Sequence, residues 1–138
     1  MDQRLSLITL AVADLARARR FYEEGLGWSP LHALDEIAFY QLPGLGLALF
    51  DRAGLEKDAG RRIDGGFSGI ALAMNERGKD DVDRTLARAA SAGAAITKPA
   101  EDTLWGGYSG YFADLDGHAW EVAWNPHCTI HEDGRTTF

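Results

Sequence analysis

The order of strands and helices in this chain occurs twice, and this internal repeat restricts the folds open to it. From Leu5 to Ala13 apolar side chains fall on alternate positions, which is the period of a β-strand. A stretch with helical spacing follows, and further strands then reach Phe50. The alternation returns from Phe67 to Met74, with the same order of elements after it. Each half is therefore predicted to be a β-α-β-β-β module with one sheet face covered by its helix. We expect an α+β fold in which two such modules form curved, cavity-enclosing sheets with the helices on the outside.

Local signals set the boundaries of the first module, about residues 5–50. Asp14 stands at a helix N-cap position, because its carboxylate can accept from the free amides of the next turn. Gly25 and Gly27 end the predicted helix, and Pro43-Gly44 forms a tight turn between the last two strands. Two or three strands are predicted after the helix, across Trp28–Leu34, Ile37–Leu42 and Leu45–Phe50.

The second module, about residues 67–126, follows a charged segment, 51–66, that has no periodicity and is predicted to be a linker. A helix is predicted from Lys79 to Ala92, followed by a strand at Ala94–Lys98 and a loop through Trp105-Gly106-Gly107. Residues 127–138 form a polar C-terminal tail. The 138 residues suffice for one domain and are too few for two ordinary ones.

The last hairpin of the second module supplies the main functional candidate. A three-residue turn ending in Gly117 closes it, since glycine accepts the positive φ that such a turn needs. This register places Tyr111 opposite Glu121 and Phe112 opposite Trp120. One face of the hairpin is bulky and apolar, and the other is small apart from one phenol and one carboxylate. Glu121 is thus a lone acid on a face that is expected to be hollow.

Matching the two modules predicts which side chains line the cavity. Matching the turns of the two hairpins places Ala48 at the position of Glu121, in a register that Pro43 can shift by one residue. Matching the first strands with an offset of 62 residues places Thr9 at the position of Ala71. Small inward side chains leave room for a ligand. The alternative is a shallow concavity filled by the tail or by a partner chain. The candidate ligand-binding residues are Thr9, Tyr40, Ala48, Phe50, Ala71, Trp105, Tyr111 and Glu121.

The charge balance of the chain argues against two classes of partner. The net charge of −7 disfavours nucleic acid and anionic membranes, since both need a basic face. No apolar run approaches the roughly 18 residues of a membrane span. Cys128 is the single cysteine, which excludes an internal disulfide. A cytoplasmic protein is the expectation.

Several stretches of the chain resemble the vicinal oxygen chelate superfamily, which includes glyoxalase I, fosfomycin- and bleomycin-resistance proteins and extradiol dioxygenases. The resemblance extends from about Leu5 to Pro126 and implies the paired-module fold, while it is weak for any one activity. The stretches that carry it are Val12-Ala13-Asp14-Leu15, Phe21-Tyr22, Leu26-Gly27-Trp28 and Phe112-Ala113-Asp114-Leu115-Asp116-Gly117-His118-Ala119-Trp120-Glu121.

The metal enzymes of that superfamily carry ligands at four positions, which the resemblance places on Leu7, Ala48, Gly69 and Glu121. Only Glu121 has a side chain that can bind a metal, and a divalent ion needs two or three protein donors. The resemblance therefore points to the metal-free members that bind drugs or other small molecules. No cofactor is expected, and a divalent metal fits only if these positions are assigned wrongly.

Each candidate in the second module also has a purely structural interpretation. Glu121 is either a general base or ligand anchor, or a carboxylate paired with an arginine or bridged to water. Tyr111 donates either to a ligand or to Glu121. Trp105 is either a flap over the cavity mouth or a loop side chain packed on the core. His118 lies on the face away from Glu121, so a structural role is expected.

The tail carries three side chains that are good zinc donors, His127, Cys128 and His131. Pro126 and the residues between the histidines argue against the helix that would bring the two imidazoles together. No partner motif follows, so solvated surface is the expected interpretation.

These observations favour a metal-independent small-molecule-binding protein of the glyoxalase/bleomycin-resistance type, with its ligand near Glu121. The alternative is a metal-dependent enzyme such as a lactoylglutathione lyase of the glyoxalase I kind, or a related isomerase or dioxygenase. As an enzyme, the chain would be a lyase or isomerase of a small metabolite with Glu121 as its catalytic residue. A third hypothesis is an accessory module that binds another protein through its sheet edges. A homodimer is expected, because two modules can close within one chain or exchange across a two-fold axis.

Overall fold

Each of the two predicted modules folds into a mixed sheet, with four strands among the described residues. A computed structural model describes residues 7–59, 62–64, 66, 68 and 70–137. The chain divides into a first unit, residues 1–65, and a second unit, residues 66–138. The described helices and strands confirm the predicted α+β class.

The first unit has the strand order β1-β4-β3-β2, with β1 parallel to β4 and the other neighbours antiparallel. Its elements are β1 (Leu7–Val12), α1 (Leu15–Arg20), a π-helical turn (Phe21–Gly25), β2 (His32–Ala33), β3 (Ile37–Leu42), β4 (Leu45–Asp51) and α2 (Arg52–Ala59).

The first helix begins where the sequence predicts. Asp14 has extended backbone angles, and its Oδ1 accepts a hydrogen bond of 2.9 Å from the amide of Arg17. The helix then widens into the π-helical turn that ends at Gly25, and Phe21 and Tyr22 in that turn are almost completely buried. Helix α1 and this turn cover one face of the sheet.

Two segments of the first unit differ in detail from the prediction. The strand predicted over Trp28–Leu34 is reduced to the two residues of β2, because Pro30 has no amide to pair. The predicted linker begins with α2, whose first turn is capped by Asp51: the amide of Gly54 donates to its carboxylate at 3.1 Å. This helix escapes detection in the sequence because its eight residues are mostly charged or small and carry no apolar stripe.

The second unit has the strand order β5-β8-β7-β6, with β5 parallel to β8. A small separate hairpin of two short strands forms in the predicted tail. The elements are β5 (Ala71–Glu76), α3 (Lys79–Ser91), β6 (Ala95–Asp102), β7 (Tyr108–Ala113), β8 (Ala119–Trp124), β9 (Thr129–Ile130) and β10 (Thr136–Thr137).

The central hairpin of the second unit has the predicted register. Tyr111 pairs with Glu121 and Phe112 pairs with Trp120. The turn closes on Gly117 at φ 86°, which is the left-handed region that favours glycine. The Asp114 carboxylate accepts from the amides of residues 116 and 118 at 3.0 and 2.9 Å, which fixes the turn.

The bulky face of this hairpin lies beneath α3, as predicted. Phe112 and Trp120 are 2% and 5% exposed, and their rings stack with centroids 6.1 Å apart. Gly110, on the same face, lies so close to Leu86 of α3 that a Cβ there would be 2.8 Å from Leu86 Cδ1. The helix therefore packs on the face opposite to Glu121, and a glycine is needed where it comes closest.

The edges of the second sheet differ in detail from the prediction. The first strand begins at Ala71, while Phe67 and Gly69 of the predicted strand lie outside the described residues. Strand β6 continues past Pro99 to Asp102, and its pairing with β7 is interrupted by two register shifts. Within the described part of the chain, no helix is long and apolar enough to cross a membrane.

Candidate functional site

Glu121 lies in the middle of β8, with Tyr111 beside it on β7 and Ala73 beside it on β5. The side chains of Glu121 and Tyr111 are both partly exposed. Along the two strands, the next residues on this face are alanines or serine, since side chains two residues apart share a face. The acid and the phenol are thus the large polar groups of a small-residue face, as the sequence predicts.

The phenol of Tyr111 is held in its protonated form. Burial raises the pKa of Tyr111 above its ordinary value, and the negative charge of Glu121 and a hydrogen bond with its carboxylate raise it further. The neutral phenol is therefore a donor that lies beside the carboxylate of Glu121. A carboxylate has about four acceptor positions, which leaves Glu121 able to accept from a further donor.

Lys98 extends this cluster, and sequence reasoning missed it. It pairs with Tyr111 in the ladder, between the two register shifts of β6. Its ammonium lies 2.9 Å from a carboxylate oxygen of Glu101. The hydrogen bond with Glu101 is the main cause that raises the pKa of Lys98, with smaller contributions from Tyr111 and Glu121. Pro99 was the signal available in the sequence, because a residue that cannot donate to the ladder favours a bulge that redirects its neighbours.

The candidates of the first unit fall on two different faces. Thr9 pairs with Ala48, so both lie on one face, and Ala48 is completely buried. Phe50 lies on that same face two residues along β4. A Cβ on Gly54 would overlap the Phe50 ring, so this ring packs closely against α2. A helix therefore occupies the end of a face that was expected to be bare.

Tyr40 lies on the opposite face, and its predicted place in the cavity lining is wrong. It pairs with Leu47, which lies on the face opposite to Ala48. Matching this hairpin to the second one assumed a three-residue turn, whereas the turn here consists of Pro43 and Gly44 alone, so the register is shifted by one residue. Tyr40 is 2% exposed, and its ring packs near Trp28 with centroids 5.9 Å apart.

The hydroxyl of Tyr40 belongs to a polar network beneath the sheet. It donates to Glu23 Oε1 at 3.0 Å, and the same oxygen accepts from Arg19 Nε at 2.7 Å. The hydrogen bond from Arg19 is the main cause that lowers the pKa of Glu23. The pKa of Tyr40 is raised, mainly by burial and to a smaller extent by its hydrogen bond with Glu23. This network ties the π-helical turn to β3, which gives Tyr40 a structural role.

Of the two remaining candidates, Ala71 lies on the sheet face of Glu121, whereas Trp105 lies in a loop and packs on that loop. Ala71 lies on the first strand of the unit, exposed, and shares the face of Glu121 two positions away from Ala73. Trp105 is 45% exposed, and its ring lies over Gly107 of its own loop. That loop is pinned by Thr103, whose amide donates to the Gly107 carbonyl at 2.9 Å and whose hydroxyl accepts from the Gly107 amide at 3.0 Å.

The strand registers also correct the alignment of the two modules. Ala48 neighbours Thr9 in the parallel ladder, and Glu121 neighbours Ala73. Matching Ala48 to Glu121 therefore matches Thr9 to Ala73, an offset of 73 − 9 = 64 residues in place of 62. The shift is even, so it leaves the predicted faces of both strands unchanged.

The family's metal positions do not fit a divalent ion. Leu7 and Ala48 have no donor atoms, and Gly69 has no side chain. Among the residues that the structure describes, no group of three His, Cys, Asp or Glu side chains could hold a metal. In the tail, the His131 ring nitrogen lies 3.1 Å from Thr137 Oγ1, and Cys128 Sγ donates to the Asn125 carbonyl at 3.4 Å.

Comparisons with known proteins agree with this fold. Residues 4–122 match the model of the Glyoxalase/Bleomycin resistance protein/Dioxygenase superfamily. A crystal structure described as a glyoxalase-related enzyme from Fulvimarina pelagi is 40% identical, covers 99% of this chain and 98% of its own, and superimposes with a TM-score of 0.94.

Two more distant structures show the fold alone. A glyoxalase/bleomycin resistance protein/dioxygenase from Nocardioides is 22% identical over 96% of this chain and 90% of its own, with a TM-score of 0.76. A lactoylglutathione lyase from Agrobacterium tumefaciens is 21% identical over 90% of this chain and 95% of its own, with a TM-score of 0.71. The family model matches residues 4–122, which is most of this chain, so the chain belongs to the Glyoxalase/Bleomycin resistance protein/Dioxygenase superfamily.

Proposed function

We propose that this chain is a metal-independent small-molecule-binding protein whose ligand contacts the Glu121 face of the second unit. The observation that carries the proposal is the pairing of Glu121 with Tyr111 on a face of small residues. Among the residues that the structure describes, no arginine pairs with this partly buried carboxylate, which makes Glu121 a candidate for binding a ligand.

The contacts of Glu121 indicate the chemistry of the ligand. Tyr111 remains a neutral donor beside the carboxylate, since burial and Glu121 raise its pKa. Lys98 is held by Glu101 at 2.9 Å, so its charge is largely balanced within its own pair. The ligand therefore presents a hydroxyl or an ammonium group to Glu121, since a carboxylate only accepts hydrogen bonds.

Metal independence is supported by the donor set. Leucine and alanine side chains stand where the family's metal enzymes carry ligands, and one carboxylate does not hold a divalent ion by itself. Glu121 is then free to contact the ligand directly.

A metal-dependent lyase, isomerase or dioxygenase is the second candidate. It is favoured by the relative from Fulvimarina pelagi, which is 40% identical and is described as a glyoxalase-related enzyme. In that case Glu121 is the general base, and its position beside a neutral phenol suits proton abstraction from a small metabolite.

A thermal-shift screen with a library of small metabolites tests the proposal. A ligand at about 100 times its Kd stabilises the folded chain by about 2.7 kcal/mol. At roughly 3 °C per kcal/mol for a chain of this length, the melting temperature rises by about 8 °C. We expect hits among compounds that carry a hydroxyl or an ammonium group.

Two variants localise the effect of each hit. Glu121→Gln keeps the shape of the side chain and removes its charge, so the shift is expected to disappear. Glu24→Gln changes an exposed acid of the first unit and should leave the shift intact. A screen without any hit, or hits that stabilise the Glu121→Gln variant equally, would show that Glu121 does not bind a ligand.

A further inference from the structure

A second cleft lies in the second unit, beyond the ends of β5 and β8. Its volume is about 280 Å³, and its walls include Glu76, Arg77, Trp124 and the segment Cys128–Ile130. Glu76 accepts from the Thr85 hydroxyl of α3 at 2.6 Å, so this carboxylate lies on the helix side of the sheet. The cleft is therefore separate from the face that carries Glu121.

The position of the cleft is one that binds ligands in other folds. Glu76 and Trp124 are the last residues of two adjacent parallel strands, and they are direct partners in the ladder. Crevices outside the carboxyl ends of parallel strands are the usual ligand sites of open α/β sheets.

Hydrogen bonds hold the outer wall of the cleft in place. Arg77 donates from Nη1 to the Ile130 carbonyl at 3.0 Å and from Nη2 to the His131 carbonyl at 3.1 Å. On the other side, the Asn125 carboxamide accepts from the His127 amide at 2.9 Å. The cleft is thus formed before any ligand arrives, which lowers the entropic cost of binding.

The cleft presents two opposite charges next to an aromatic ring. An arginine has five N–H donors, and two of the Arg77 donors are used by the tail carbonyls. The Glu76 carboxylate has one oxygen engaged by Thr85. Lys79 lies 5.8 Å from the centroid of the Trp124 ring, in a cation–π contact that helps to fix this wall, and its own charge is paired with Asp102 at 2.5 Å.

We propose that this cleft binds a free α-amino acid. The carboxylate of such a zwitterion pairs with Arg77, its ammonium pairs with Glu76, and its side chain packs on Trp124. An anion alone leaves Glu76 unpaired and a cation alone leaves Arg77 unpaired, so a zwitterion matches both charges. The volume of 280 Å³ lies just below the roughly 300–1,000 Å³ of pockets for drug-sized ligands, which suits a single amino acid.

Amide NMR spectra of the full chain, recorded during titration with each standard amino acid, test the proposal. We expect saturable shifts for at least one amino acid, in the amides of 76–78, 125 and 127–130. The analogues of that amino acid without its ammonium or without its carboxylate each lose a charged hydrogen bond, so they bind about tenfold more weakly or worse. No saturable shift at these amides, or equal binding of the amino acid and both analogues, would overturn the proposal.

A variant that removes the negative charge of Glu76 tests whether this residue contacts the ammonium group of the ligand. Glu76→Gln is expected to weaken the amino acid about tenfold and to leave the analogue without an ammonium unchanged. Glu24→Gln, an exposed acid of the first unit, is the matched control and should leave both affinities unchanged. Equal affinity of the amino acid for wild type and Glu76→Gln would show that Glu76 does not bind the ligand, which contradicts the proposal. If the Glu76→Gln spectrum loses its dispersion, the comparison of the three ligands on the wild-type chain decides.

Discussion

Gly110 lies where α3 comes closest to β7, and replacing it with alanine probes the packing of the second unit. A Cβ at this position would lie 2.8 Å from the Ala100 amide nitrogen, 2.9 Å from the Lys98 carbonyl oxygen and 2.8 Å from Leu86 Cδ1. The Leu86 methyl can rotate away. The two backbone atoms belong to β6 and can move only if the strand pairing shifts.

The size of the effect follows from these contacts. Overpacking a core typically costs about 1–3 kcal/mol, and the reduced freedom of the unfolded chain with alanine offsets about 0.4–1 kcal/mol. Because two of the three close contacts are with backbone, we expect Gly110→Ala to lower the free energy of unfolding by about 2 kcal/mol. The melting temperature should then fall by about 6 °C for a chain of this length.

Urea denaturation followed by tryptophan fluorescence measures this loss. Gly78→Ala is the matched control, because its Cβ would meet only Asp81 Oδ2 at 3.6 Å and its φ of −163° is ordinary extended backbone. Because Gly78 is the N-cap of α3, where alanine is less favourable than glycine, we expect the control to lose about 0.5–1 kcal/mol, which is less than the loss in Gly110→Ala. If Gly110→Ala unfolds at the wild-type urea midpoint, β7 does not present this residue to α3 and the assigned faces of the hairpin are wrong.

Three further outcomes are expected. Glu121→Gln should lower the pKa of Tyr111, because the variant removes the negative charge and alters the hydrogen bond that raise it. The difference in tyrosinate absorbance between the two proteins during alkaline titration measures this change. Identical titration curves would contradict the interaction of Tyr111 with Glu121. Glu23→Gln should destabilise the chain by roughly 1–3 kcal/mol at neutral pH. Since the pKa of Glu23 is lowered by folding, its contribution is present above the ordinary glutamate pKa and is lost as the pH falls through the lowered value. Urea melts of the two proteins should therefore converge in acid, and a difference that persists there would rule out a charge effect. We also propose a homodimer, for which light scattering should give about twice the 15.1 kDa of one chain, whereas the mass of a single chain at high concentration would exclude it.

The second hairpin shows how much of the site was predictable from the sequence. The Asp116-Gly117 pair fixed the length of its turn, and with that length every cross-strand partner followed, including Tyr111 and Glu121. Bulky residues on one face and small ones on the other then determined which face packs on α3. Local turn chemistry and alternation were sufficient because they agree with each other.

The errors come from features that alternation does not encode. In the first hairpin, a two-residue turn in place of three moved Tyr40 to the opposite face. Lys98 was missed because its direction depends on register shifts in β6, which arise from pairing with β7. The helix α2 carries no apolar stripe, and its contact with Phe50 uses a glycine, so no period in the sequence marks it.

Metal analysis of the purified chain tests most directly the claim of a metal-independent site at Glu121. The chain is incubated with zinc, nickel or manganese ions, freed of excess ion, and assayed for bound metal together with its melting temperature. We expect far less than one ion per chain and no change in melting temperature. One tightly bound ion per chain that raises the melting temperature, and that is lost in Glu121→Gln, would contradict the claim and favour the metal-dependent enzyme.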